Sequence, residues 1–353
     1  MVLPLGKVPI DVLKGTVLKC VGYRRDDVVQ GPGVGEDAAI LRVGDMLLVT
    51  HSDPITGAVE RIGWLAVNVN ANDVATRGAR PRWFLSSILL PESSEEEVVS
   101  KICKQIHKAA LDLGVAVVGG HSEVTPGLNH PVVVGCMMGL AEDGRYVTTH
   151  DVKPGSAIIL TKGAGVEGTA ILASDRSDVL EKRFSGRFLQ RARIYFRRIS
   201  VVKDAMTAFS VGGVFSMHDP TEGGVAGGLH EMADASGTGF RVESERILVS
   251  PITQRICEFF EIDPLQLIGS GALLISADKT LAEEIVRALS CERIEASIIG
   301  EFTSKPRERV IGSKAGVKPL PRPISDHLWI ALSRDKTWSS LSKAGSTSSV
   351  REG

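Results

Sequence analysis

Short apolar runs alternate along this chain with longer periodic ones. Ala38–Val43 and Met46–Thr50 are dense in Val, Leu and Ile and meet at Gly44-Asp45, which predicts two strands in a hairpin-type connection. Ile62–Arg77 shifts to a spacing of three or four, through Ile62, Leu65, Ala66, Val69 and Asp73, and predicts a helix; Gly78 ends it and Pro81 follows. Arg82–Leu90 reads as a strand. Ser93 and Ser94 then supply a helix N-cap, Glu95–Glu97 place acids in the first turn, and the helix runs to Leu113. Ala116–Gly119 and Val132–Leu140 have the composition of buried strands. Strand and helix alternate, so the first half is α/β.

The alternation resumes after Asp151–Ser156, where Pro154-Gly155 marks a domain boundary. Strands are predicted at Ala157–Thr161, Val214–Met217, Gly239–Val242, Ala272–Ser276 and Ala296–Gly300. Helices are predicted from Gly168–Ala173 onward, over Arg187–Phe209 as one long basic helix, and at Gly223–Ser236, Pro251–Phe260 and Leu281–Leu289. A chain of 353 residues exceeds one ordinary core and suits two domains, at 31–150 and 151–333. Residues 1–30 read as an arm with one short amphipathic helix near Ile10–Val21, and the polar, serine-rich stretch 334–353 as disordered.

Composition narrows the function classes. Lys plus Arg total 41 and Asp plus Glu 42, so a net charge of −1 offers no general attraction to nucleic acid or an anionic membrane. Aromatic residues, at 5%, leave few stacking surfaces for single strands. The five cysteines are scattered, odd in number and without a CxxC pair, against both a disulfide framework and a zinc site. Met1–Gly15 lacks an apolar signal core, and the longest nearly apolar run, Pro131–Ala141, is too short to span a bilayer. The expectation is a soluble protein of the reducing cytoplasm.

Four segments place acids at turns beside apolar elements: Gly35–Ala38, Thr50–Asp53, Asn70–Asp73 and Met217–Gly224. Carboxylate and amide oxygens are the ligands Mg²⁺ prefers, and the ion needs only one or two from protein when phosphate and water complete its shell. Each acid alone also suits a cap or an Asx-turn. Asn72-Asp73 differs, because it lies within an apolar helix face where unpaired burial is costly. Asp219 precedes a helix that begins Gly223-Gly224, a place for a cap or for an anion. No Gly-x4-Gly-Lys-Ser/Thr phosphate loop occurs. Gly163–Gly168 fits GxGxxG, but no second strand ending in an acid follows, so a tight strand-to-helix turn is preferred to a dinucleotide site. His121, in Gly119-Gly120-His121-Ser122-Glu123, is a candidate proton carrier or phosphate donor, or one polar residue at a strand exit. The cations of 187–203 read mainly as a solvated face.

Taken in order, these blocks resemble the superfamily that unites aminoimidazole ribonucleotide synthetase, thiamine-monophosphate kinase, selenophosphate synthetase and hydrogenase-maturation protein E. Gly35–Ile40 is similar to its Gly-Asp-Asp-Ala-Ala-Val loop, and Ser52-Asp53, Ile62–Asn68, Asn72–Ala75, Gly78–Pro81 and Gly119–Ser122 look like the blocks that follow. His218–Val225, with Glu231 downstream, resembles most closely the Asp-Pro-Thr-Arg-Gly-Gly-Leu element of protein E, and Ile299–Phe302 a late family element. The match covers roughly residues 5–330.

The resemblance implies an α/β, two-domain synthetase-like fold. Its N-terminal domain would bind ATP and pair its sheet into a barrel across a homodimer; its C-terminal domain would be an α/β sandwich. ATP and Mg²⁺ are the implied cofactors. Asp37, Asp53 and Asp73 would be metal ligands, and Gly35, Asn72, Gly119, Gly120, Gly223 and Gly224 would surround the nucleotide. Asp37, Asp219 and His121 would serve the chemistry. The implied activity is phosphorylation, or ATP-dependent activation, of a carbonyl-type or acid oxygen on a small molecule or a maturation partner. Such catalysis needs positioning and charge neutralisation more than covalent chemistry.

The chain also departs from each branch. It shows no cysteine after Cys291, whereas protein E uses a C-terminal one; Cys20 lacks the lysine-bearing glycine-rich setting of the selenophosphate branch; Gly269–Ala272 replaces an acidic element of the kinase branch. His121 stands where most branches carry an acid, with Glu123 nearby. The alternatives are therefore a non-catalytic ATP-binding assembly module and a thiamine-monophosphate-kinase-like small-molecule kinase.

Overall fold

The computed structural model describes residue 3 and residues 7–56 and 59–333. Its first sheet is built from β1 (Val28–Gln30), β2 (Ala39–Val43), β3 (Met46–Ile55), β4 (Ala79–Leu90), β5 (Ala116–Val124) and β6 (Val132–Ala141), in the order β1-β2-β3-β6-β4-β5. Neighbours are antiparallel except β4 and β5, which run parallel and need a crossover helix. The helices of this half are α1 (Ile10–Gly15), α2 (Ile62–Ala75) and α3 (Glu96–Leu113). α3 makes the crossover, buries only the stripe Ile102, Ile106, Ala109 and Ala110, and stops at Gly114 in the left-handed region. α2 differs in kind: thirteen of its fourteen residues are buried, so its polar side chains must find partners inside the protein.

The second sheet holds β7 (Ala157–Thr161), β8 (Val214–His218), β9 (Gly239–Glu243), β10 (Leu274–Ala277), β11 (Ala296–Thr303), β12 (Arg309–Ser313) and β13 (Gly316–Pro319), ordered β13-β12-β9-β11-β7-β10-β8. Its helices are α4 (Val166–Asp175), α5 (Ser177–Leu180), α6 (Gly186–Arg193), α7 (Val202–Val211), α8 (Gly224–Ser236), α9 (Pro251–Phe260), α10 (Ala282–Cys291) and α11 (His327–Ser333). One apolar cluster runs from Ile40, Phe84 and Met137 through Ala66 and Val74 of α2 to Val202 and Ala205 of α7 and Ile159 and Ile275 of the second sheet. The two domains therefore share a continuous core, with α2 at its centre.

Several expectations need correction. β5 is not buried: all nine residues are exposed, because it is an edge strand paired only with β4. The long basic helix is broken into α6, a 3₁₀ turn at Ile194–Arg198, and α7. The break has a cause in α2: Asn72 accepts from Val201 N (2.8 Å) and donates to Ile199 O (2.9 Å), taking backbone groups that a continuous helix would use. The helix near residue 10 ends at Gly15 and gives way to a 3₁₀ turn at Val17–Lys19. β7 pairs antiparallel with both β10 and β11, which excludes a dinucleotide-binding βαβ unit. Gly163 instead allows a tight turn, since its φ is 97° and a Cβ there would lie 2.4 Å from Leu248 O. β1, β12, β13, α5 and α11 were not anticipated, and the stretch 334–353 lies outside the described residues. No described helix is long and apolar enough to cross a membrane.

Candidate functional site

Three carboxylates from distant elements converge. Asp37 lies on the loop before β2, Asp73 on α2 and Asp219 directly after β8, and one oxygen of each falls within 4.8 Å of the others. All three side chains are buried, and Asp219 Oδ1 has no hydrogen-bond partner among the described residues. A buried carboxylate with one orphaned oxygen, close to two further carboxylates, is costly unless a cation joins them. A small hard dication fits this all-oxygen donor set.

The electrostatics express the same crowding. Burial, then repulsion from Asp219 and Asp37, raises the Asp73 carboxyl well above its ordinary range. Burial and the charge of Asp37 lift Asp219 to about 7. Asp37 goes the other way: burial opposes its charge, but His218 and Arg77 hold it low.

Those two cations are themselves buried. Arg77 donates from Nη2 to Asp37 Oδ2 (2.7 Å), Thr149 Oγ1 (3.0 Å) and Met217 O (3.2 Å), and from Nη1 to Glu36 Oε2 (2.8 Å). It staples the Glu36-Asp37 loop and the end of α2 to β8. His218 lies between Asp37 Oδ1 and Glu231 Oε2, 2.8 Å from each. Burial disfavours its charge, yet Asp37 and Glu231 raise it to about 10, so it is an imidazolium donating from both nitrogens.

Amides of α2 set the neighbours. Asn72 Nδ2 reaches Asp219 Oδ2 at 3.4 Å while it clamps Ile199 and Val201. Asn70 clamps the backbone of Asp53, accepting from its N at 2.9 Å and donating to its O at 3.2 Å. Asp53 borders the three acids without joining their close group; burial raises it to about 6. His51 Nε2 stands 3.1 Å from Asp73 Oδ2, and burial lowers it to about 4, leaving it neutral.

Known proteins share this arrangement of domains. The N-terminal domain of AIR synthase related protein matches residues 35–141, and its C-terminal domain matches residues 153–313. A carbamoyl dehydratase HypE of Cupriavidus necator is 30% identical over 253 residues, 70% of each chain. The chain belongs to the AIR synthase related family. A Methanocaldococcus jannaschii relative, provisionally named a hydrogenase expression/formation protein, is 28% identical over 332 residues, covering 91% of this chain and 95% of its own. Among solved structures, the HypE–HypF complex aligns with a TM-score of 0.74 at 22% identity, over 88% of this chain and 99% of that one. HypE in complex with ATP aligns with a TM-score of 0.70 at 23% identity, over 85% and 92%.

Within this AIR synthase related fold the remaining expected residues divide into two groups. Gly35, with φ 75°, rests against α8, where a Cβ would meet Glu231 O at 3.3 Å. Gly223 and Gly224 open α8, but their N–H groups are engaged: Gly223 donates to Asp326 Oδ2 (2.6 Å) and Gly224 to Thr221 O (3.0 Å). Gly119, Gly120 and His121 do not join the acids. They lie on exposed β5, where His121 Nε2 is 3.0 Å from Glu123 Oε2 and a Cβ on Gly120 would strike Ser86 O at 2.0 Å. They border a separate cavity of about 460 Å³ with Cys103 and His107.

Sequence reasoning passed over Arg77, His218, Glu36 and Lys7 as site residues. Arg77 had a signal, since it follows Asp73 by one helical turn on a buried helix. His218 stands directly before Asp219. Lys7 had none: its amine reaches Thr221 Oγ1 at 3.0 Å from more than two hundred positions away.

Proposed function

We propose that this chain is a Mg²⁺-dependent, ATP-using enzyme that phosphorylates, or activates through ATP, a carbonyl-type or acid oxygen of a small molecule or of a partner protein. The convergence of Asp37, Asp73 and Asp219, with Asp219 Oδ1 unpartnered, carries the reading. It is supported by relatives named carbamoyl dehydratase and by fold neighbours solved with ATP and with a HypF partner.

Asp37, Asp73 and Asp219 would hold the ion, with Asp53 beside them. When bound, Mg²⁺ would neutralise charge on the phosphate oxygens. The chain's own residues do the positioning. Arg77 and His218 lock Asp37, Asn72 holds Asp219 against α2, and the shared core keeps both domains in register around the acids. Such rigidity means little reorganisation during phosphoryl transfer.

The exposed edge of β5 supports a homodimer in which the first sheets of two copies pair into a barrel. Val117, Val118 and Val124 are exposed there, and an open edge bearing valines favours further pairing. The chain's working compartment in this reading is the cytoplasm.

Calorimetry with Mg²⁺–ATP on wild type and on Asp73→Asn/Asp219→Asn tests the function. We expect wild type to bind and the double variant to lose at least about tenfold in affinity, equivalent to ~1.4 kcal/mol. Equal affinities reject it. A second reading, a nucleotide-binding assembly module without turnover, is favoured by one observation: both oxygens of Asp37 already serve Arg77, Thr76 and His218. ATP turnover stimulated by any member of a metabolite panel excludes that reading.

A further inference from the structure

The segment that joins the 3₁₀ turn at Ile194–Arg198 to α7 is gripped by side chains of both domains. From α2, Trp64 Nε1 donates to Phe196 O at 3.1 Å, and Asn72 takes Ile199 O and Val201 N. From the end of β7, Lys162 Nζ donates to Arg198 O at 3.2 Å and to Ser200 O at 2.6 Å, and pairs with Asp204 Oδ2 at 3.0 Å. These three atoms only accept, so the lysine spends all three N–H groups of an ammonium on them. Asp204 is buried and accepts from Thr161 Oγ1 at 2.8 Å with its other oxygen.

The chain accepts backbone strain to place this lysine. Its φ is 57°, a left-handed conformation in a residue other than glycine. Such a residue persists where its surroundings over-determine it. Lys162 N also donates to Glu295 O at 2.7 Å, so both the backbone and the tip of the side chain are fixed.

The segment in turn fixes the Asn72 amide. Val201 N–H meets its oxygen at 2.8 Å and Ile199 O meets its nitrogen at 2.9 Å, which selects one orientation of the group. In that orientation Asn72 Nδ2 also faces Asp219 Oδ2, 3.4 Å away. Turned over, the amide would set its oxygen against the carboxylate. We propose that Lys162 is a positioning residue for the acid site: it fixes segment 198–201, the segment orients the Asn72 amide, and the amide holds Asp219 for the cation on which the function proposed above depends. The contacts of Lys162 are with Arg198, Ser200 and Asp204, so its influence on the acids passes through Asn72.

Mn²⁺ without nucleotide serves as the probe, counted by electron paramagnetic resonance. Lys162→Met is expected to weaken Mn²⁺ binding about fivefold, the worth of one hydrogen bond, Asn72→Ala by as much, and the two together no further than Asn72→Ala alone. A merely structural clamp would lower the melting temperature and leave Mn²⁺ affinity where it was. Lys162→Met/Asp204→Asn removes the ammonium without stranding a buried carboxylate, and is expected to show the same loss as Lys162→Met. Unchanged Mn²⁺ affinity in the folded Lys162 variants, or losses that multiply in the combined Asn72 variant, overturn the positioning role alone. So does failure of both Lys162 variants to give a folded thermal melt. Wild-type protein that binds no Mn²⁺ overturns the metal site and the function proposed above, and the role of Lys162 with them.

Discussion

Nδ1 of His218 lies 2.8 Å from Oδ1 of Asp37, so a strand of the second domain presents an imidazolium to a carboxylate of the first. Its other nitrogen meets Glu231. Replacing His218 with Gln keeps hydrogen-bonding capacity but removes the charge, leaving two buried carboxylates short of a cation. We expect a loss of about 3–5 kcal/mol by chemical denaturation. The pH dependence is specific. A folded value of about 10 against an ordinary 6.5 means this stability is full below pH ~6.5 and is lost as pH rises through ~10. Wild type should weaken across that window and His218→Gln should be flatter there; parallel curves refute the assignment.

Arg77 is wholly buried and pairs with Glu36 and Asp37. Arg77→Met retains volume but strips the guanidinium from both acids, leaving His218 as the ion-pair partner of Asp37. Breaking a buried pair from one side costs about 3–5 kcal/mol. A melting temperature within a degree of wild type would show that water replaces the guanidinium freely.

Crowding of Asp73 and Asp219 destabilises the metal-free protein at neutral pH. Their folded values lie above the ordinary carboxylate range, with Asp219 at about 7, so the folded state holds protons that the unfolded chain releases. This contribution to stability is present at pH ~4 and is lost as pH rises through ~7. A dication reverses the penalty, so the rise in melting temperature caused by Mg²⁺ should be larger at pH 8 than at pH 5. A shift independent of pH counts against metal binding by these acids.

Asp73→Asn removes one of the three crowded carboxyl groups. The expected result is a metal-free melting temperature about 2–4 °C higher than wild type, together with loss of the Mg²⁺ response. A variant that melts lower and still responds to Mg²⁺ contradicts the proposed ligand set.

Val118 is exposed on β5, the strand offered for pairing. A lysine there places charge on the open edge and favours separation. Light scattering after size exclusion should report a wild-type dimer and a Val118→Lys monomer. Persistence of the dimer moves the interface elsewhere.

Much of the architecture was legible because local burial has a period. The α/β alternation and helices such as α3 and α9 follow from spacing, caps and glycine stops. Asn72-Asp73 stood out because polar groups on an apolar helix require partners. Periodicity does not report whether a neighbour covers a strand, and so β5 was expected inside and lies exposed. Nor could it foresee that Asn72 would interrupt the helix at Ile199–Val201.

Residue types and their order alone determined that this chain carries separated acids on turns of a two-domain α/β fold. Tertiary structure decided which acids meet: Asp219 joins Asp37 and Asp73, Asp53 stays beside them, and His121 remains on a distant edge strand with Glu123. The reason is range. A side chain's burial depends on neighbours a few positions away, whereas the balance of buried charge depends on partners such as Asp37 and His218, 181 positions apart, whose distance only the folded chain sets.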